Sequence, residues 1–178
     1  MGYGSYSVIA AVNRSAEKGY KTMSAASVFT ARKIETAMSP LNLTFRESRD
    51  SAEHPNSVPI IVGLDVTGSM GSIPHYLIST SLPKIMGKIM QAGEADPQML
   101  FVAVGDHECD NSPLQVAQFE SSDELLDKWL KQVYLEGGGG GNAGESYHLA
   151  WYLAANHTKT DSFEKRGKKG LLFTIGDE

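Results

Sequence analysis

The stretch from Ile61 to Ser72 reads IVGLDVTGSMGS. An apolar run stops at Asp65, and Thr67, Gly68, Ser69 and Gly71 follow within six positions. A carboxylate and two hydroxyls at a strand tip offer oxygen ligands. Two further segments carry the same chemistry. EGGGGGNAGES, from Glu136, sets Asn142, Glu145 and Ser146 among glycines that let a backbone turn tightly and approach an ion. GLLFTIGDE ends another apolar run near Asp177. Hard divalent cations prefer oxygen donors of this kind, Mg²⁺ above all, with Mn²⁺ or Ca²⁺ as alternatives. No cysteine or histidine pair with zinc spacing competes.

Elements must bring these residues together. VPIIVGLDV, QMLFVAVGD and GLLFTIGDE are nearly continuous apolar runs, as expected of parallel strands buried on both faces. Ile78, Leu82, Ile85, Met86, Ile89 and Met90 mark one face of a helix that Pro83 should kink or delay. PLQVAQF reads as an edge strand, reached through HECDNS. SSDELLDKWLKQV opens with a capping-box pattern, Ser121 to Glu124, and SYHLAWYLAANH places Tyr147, Ala150, Trp151 and Ala154 on one helical face. The order strand, helix, strand, strand, helix, helix, strand predicts an α/β fold. It is a Rossmann-like open, mostly parallel sheet with helices on both faces and one antiparallel edge strand. Ligands of such sheets bind beyond the carboxyl ends of the strands. If the first and last parallel strands are neighbours, the three oxygen-rich segments converge.

Residues 1–57 read as an N-terminal extension, partly helical or disordered, with a helix over Ser24–Met38 and a polar linker or surface loop in RESRDSAEHPNS. Residues 58–178 form the main domain. The net charge of −5 argues against a general nucleic-acid binder. No apolar run approaches the ~20 residues of a membrane span, so no membrane partner is expected. One cysteine, Cys109, suits a reducing compartment, and with no export signal visible the expected setting is cytoplasmic.

Plainer readings stand beside each feature. Asp65 could cap a helix, the glycine run could be a linker, and Asp177 could be a surface residue. GDHECD reads as a polar hairpin loop, with Asp106 set apart because it ends a parallel strand. EKRGKKG reads as a solvated turn. His75, His148 and His157 read as packing or surface residues, and Trp129 and Trp151 as core.

Asp65-x-Thr67-x-Ser69 resembles the DxSxS signature of the von Willebrand factor A domain family, with threonine for the first serine. GGGGGNAGES resembles that family's second metal loop, and FTIGDE its last strand and loop. The resemblance covers Val58 to Glu178. It implies a metal-ion-dependent adhesion site. Thr67 and Ser69 would ligate through hydroxyls, and Asp65 and Asp177 mainly through bound waters. The family's second-loop threonine is missing. Asn142 is the best match, with Glu145 and Ser146 as alternatives and Asp106 as a further residue of interest. The family's sheet usually has six strands, whereas four are legible here, so the expected domain is truncated after its fourth strand or completed by a partner. The implied function is a protein–protein interaction module with no chemistry of its own. Its Mg²⁺ captures an acidic residue of a partner protein, with AAA+ ATPases as one partner class. The alternatives are a Mg²⁺-dependent phosphohydrolase with Asp65 as nucleophile, and a metal-free structural domain.

Overall fold

The computed structural model describes residues 4–70, 72–94, 96–135 and 146–176. In chain order its elements are α1 (Val8–Glu17), α2 (Ala25–Val28), β1 (Arg46–Ser48), β2 (Ser57–Asp65), α3 (Ile73–Tyr76), α4 (Leu82–Gln91), β3 (Asp96–Val104), β4 (Leu114–Val116), α5 (Asp123–Lys131), α6 (His148–Asn156), β5 (Thr158–Thr160), α7 (Asp161–Arg166) and β6 (Leu171–Ile175). The main sheet has the order β4-β3-β2-β6, with β2 parallel to β3 and to β6, and β4 antiparallel to β3. The α/β class, the mostly parallel open sheet and the antiparallel edge strand agree with the sequence pattern. Among the described residues no helix is long and apolar enough to cross a membrane.

Strand β2 is buried along its whole length, and β3 is buried from Pro97 onward. Side chains alternate across a sheet. Ile60, Val62 and Leu64 therefore point to one face and Ile61, Gly63 and Asp65 to the other, and both sets are buried. Gly63 sets how closely α6 lies on the sheet. A Cβ there would stand 3.1 Å from Ala150 Cβ and 3.4 Å from Thr174 Cγ2.

Pro83 takes its expected effect in a particular form. Between α3 and α4 the chain winds as a π-helical segment, Leu77–Ser81, and Pro83 sits in the first turn of α4. Proline has no N–H, so the Ser79 carbonyl loses the donor an α-helix would supply four residues on. Ser15 of α1 supplies one instead: its Oγ donates to Ser79 O at 2.9 Å, and both residues are buried.

Several local expectations are corrected. The single helix over Ser24–Met38 is instead α2, capped by Ser24, and a separate 3₁₀ turn at Thr36–Met38. Its loosely spaced apolar residues never define one stripe. RESRDSAEHPNS begins with β1, which pairs in parallel with β5. The N-cap of α5 is Ser122, whose side chain accepts from Leu125 N, so the box from Ser121 is displaced by one residue. The buried face of α6 is Ala150 and Leu153, while Trp151 points outward and is exposed. Trp129 is partly buried against the core, as read.

Residues 4–57 also contribute to the core. Tyr6, Tyr20, Val28, Phe29 and Met38 join the same apolar cluster as the sheet. An ion network fastens the β1–β5 pair. Arg49 bonds Asp161 at 2.8 Å and also meets Glu47 and Glu164. Asp50 accepts from Arg166 at 2.7 Å and from both Ser57 N and Ser57 Oγ.

Candidate functional site

The register brings three strand ends side by side. Asp65 is opposite Val104 of β3, and Leu64 is opposite Ile175 of β6. The condition for convergence, that β2 and β6 be neighbours, is therefore met.

Asp65 is fully buried at the tip of β2. Its Oδ1 accepts from Thr67 N at 2.8 Å and from Thr67 Oγ1 at 2.7 Å. Its Oδ2 accepts from the Tyr147 hydroxyl at 2.8 Å. The single hydroxyl proton of Thr67 is spent on Asp65, so Ser69 is the donor where the two hydroxyl oxygens meet at 3.1 Å. The Thr67 oxygen then accepts from Ser69 with one lone pair and retains the other. Ser69 lies at the exposed rim, with Thr67 buried beneath it.

Tyr147 follows from the packing. Gly63 and Asp65 lie on one sheet face, and Tyr147 and Ala150 lie three apart on one helical face. Because Ala150 rests over Gly63, Tyr147 is carried over Asp65 and against Gly176, where a Cβ would collide with its ring. The sequence pattern places Tyr147 only on a helical packing face. The missed signal is a hydroxyl-bearing aromatic one helical turn before the residue that meets Gly63.

Asp106 and Ser146 form the adjoining part. Asp106 is buried two residues past the end of β3, and its Oδ1 accepts from Glu108 N at 2.9 Å. Ser146 N donates to Gly105 O at 3.4 Å, which ties the start of α6 to this loop. Ser146 Oγ accepts from His107 N at 3.0 Å and pairs with His107 Nδ1 at 2.8 Å. His148 meets the His107 ring edge-on. Cys109 is exposed, and a hydrogen bond with Asp106, ahead of smaller effects, pushes its thiol up, which makes it a poor nucleophile. His75 and His157 bond to the Tyr20 and Thr44 carbonyls, in keeping with packing roles.

Of the expected ligands, Asp65, Thr67 and Ser69 are together. Asp106 and Ser146 stand at the neighbouring strand end with partners of their own. Asn142, Glu145 and Asp177 lie outside the described residues. Among the described residues, no three His, Cys, Asp or Glu side chains converge to hold a metal. The donor set at the β2 tip is one carboxylate and two hydroxyls, which fits a hard, oxygen-seeking cation and not zinc.

No protein-family model, curated protein or solved structure matches the chain.

Proposed function

We propose that the tip of β2 holds a divalent cation, Mg²⁺ by preference, and that the loaded site captures an acidic residue of a partner protein in the manner of von Willebrand factor A domains. One observation carries this reading. Thr67 donates to the buried Asp65 at 2.7 Å while its oxygen meets that of Ser69 at the rim. A hydroxyl that donates to a carboxylate becomes the better electron donor on its other side. Two adjacent neutral oxygens would leave the ion electrophilic, and a bound Mg²⁺ would supply a position for an incoming carboxylate. Asp177 and Asn142 belong to the same proposal through the sequence resemblance, as do a cytoplasmic setting and an AAA+ ATPase as partner class.

The phosphohydrolase reading receives less support. Asp65 is buried, and each of its oxygens already accepts a hydrogen bond, from Thr67 and from Tyr147. A nucleophile needs an accessible oxygen.

Calorimetric titration of Mg²⁺ and Mn²⁺ tests the proposal on the wild type, Asp65→Asn and Thr67→Val. The expected result is one site per chain, abolished by Asp65→Asn and weakened at least tenfold by Thr67→Val. Acetate or a glutamate-bearing peptide should then perturb the electron paramagnetic resonance signal of Mn²⁺ bound to the wild type. Absence of cation binding by the wild type, or binding that survives Asp65→Asn unchanged, rejects it.

A further inference from the structure

Away from the β2 tip, a pocket of about 540 Å³ opens where the end of α1, the chain around α2 and the end of α5 meet. Lys18, Lys128 and Lys131 line it, together with Met23, Val28 and Thr30. Val28 is buried and Met23 half-buried, whereas Thr30 is exposed, so the hollow has an apolar floor and a polar rim. Among the described residues no acidic side chain lines it.

The lysines are gathered by one carboxylate. Asp127 Oδ2 accepts from Lys18 Nζ at 2.9 Å and stands 3.5 Å from Lys131 Nζ. The Tyr20 hydroxyl donates to the same oxygen at 3.2 Å. Asp127 is buried. Lys128 forms no ion pair among the described residues, and its Nζ stands 6.0 Å from the centroid of the Trp129 ring. Three ammoniums against one buried carboxylate leave a surplus of two positive charges, in a chain whose net charge is −5. The dipole of each helix favours a lysine near its own C-terminus. It does not require the ends of α1 and α5 to open on the same hollow. A concave surface lined by one sign of charge concentrates ions of the other sign.

A phosphate monoester suits these terms. Its dianion matches the surplus of two, and its terminal oxygens accept from ammoniums. Its organic part can lie on Val28 and Met23. A carboxylate would leave one positive charge unmatched. We propose that this pocket binds the phosphate group of a small phosphorylated organic molecule, held by Lys18, Lys128 and Lys131. None of these residues belongs to the β2 tip, so the pocket stands or falls apart from the metal site.

Calorimetric titration of the full chain with phenyl phosphate, and with benzoate as a singly charged comparison, tests it. Phenyl phosphate should saturate one site with a dissociation constant of about 1 mM or below, and benzoate should bind at least fivefold more weakly. Binding should weaken at least threefold from pH 7.5 to 5.0, because the second ionisation of a phosphate ester lies near pH ~6 while the lysines stay charged. Lys128→Ala and Lys131→Ala should each weaken it at least threefold, and Lys128→Glu at least tenfold. Lys128→Arg, which keeps the charge, should stay within twofold of the wild type. Lys128 is exposed, so its variants should keep the wild-type circular dichroism. Lys84→Ala, on α4 and outside the pocket, should change nothing. With methionine methyl groups labelled by ¹³C, the Met23 signal, assigned by its loss in Met23→Leu, should shift on addition of phenyl phosphate. No saturation below about 10 mM overturns the proposal. So does an equal loss in Lys84→Ala, which would show diffuse charge attraction in place of a site, or a Met23 signal that does not move.

Discussion

Replacing Ser15 with alanine isolates one hydrogen bond whose need is dictated by a distant proline. Ser15 Oγ donates to Ser79 O at 2.9 Å in a buried setting, and Pro83 cannot serve that carbonyl. Ser15→Ala removes little apolar contact but leaves a buried acceptor without its side-chain donor. Such a loss costs about 1–3 kcal/mol. Alanine is the better helix former by a few tenths of a kcal/mol, which offsets part of it. The net expectation is about 1–2 kcal/mol, or a fall of roughly 2–8 °C in melting temperature for a chain of this size. Urea unfolding followed by circular dichroism gives the free energy directly. The same substitution in a Pro83→Ala background decides the cause. Alanine at 83 restores an N–H that can reach Ser79 O, so Ser15→Ala should then cost less by at least 0.5 kcal/mol, a coupling of the size expected for groups sharing a partner. An equal cost in both backgrounds refutes the link to Pro83, and a cost within ~0.3 kcal/mol of zero refutes the importance of the bond.

Three further outcomes are expected. The Lys165 ammonium, with the Asp50 N–H and Arg49, holds the Asp161 carboxyl down at about 2, below its unfolded value of about 3.9. Its contribution to stability should therefore be present above pH ~4 and fade as pH falls through ~2, so that urea midpoints of wild type and Asp161→Asn converge in acid. Asp50 is lowered as well, chiefly by Arg166, and Asp50→Asn should show the same convergence. Gly63→Val should lift α6 from the sheet and break the Tyr147–Asp65 bond, with a destabilisation of about 2 kcal/mol or more in urea melts from overpacking, whereas Ile9→Val on the exposed face of α1 should change little. Tyr147→Phe keeps the ring against Gly176 but removes a hydrogen bond to a buried carboxylate, so a loss of about 1–3 kcal/mol is expected by chemical denaturation.

The legible parts of this fold were those whose physics is local. β2, β3 and β6 announce themselves as apolar runs, and the stripe through Ile78, Leu82 and Met86 marks the helical region before β3 whatever surrounds it. Helix α1 does not. Its packed face is Val8, Ala11 and the buried Ser15, while Ile9 and Val12 are exposed, so apolar residues stand on both sides of the helix and mark no single stripe. β1 and β5 are three-residue, largely polar strands held by ion pairs between segments more than a hundred residues apart, which no local pattern encodes. In the candidate site, Asp65, Thr67 and Ser69 were legible because a motif places them within five residues. Tyr147 was not, because its place over Asp65 depends on Ala150 finding Gly63. Trp151 misled for the opposite reason: size and aromaticity suggest burial, but the α6 face that meets the sheet is made of small residues.

The pairing of β2 with β6 has a consequence in time. β3 follows β2 within about forty residues, whereas the partner on the other side of β2 is translated about 110 residues after it. At synthesis rates of roughly 5–20 residues per second, one edge of the most buried strand waits some 5–20 seconds for its neighbour. During that interval the edge from Ile60 to Leu64 is open on the nascent chain. Arrival of β6 closes that interval, and slowing the ribosome between positions 104 and 171 should lower the yield of soluble protein without changing a single residue of it.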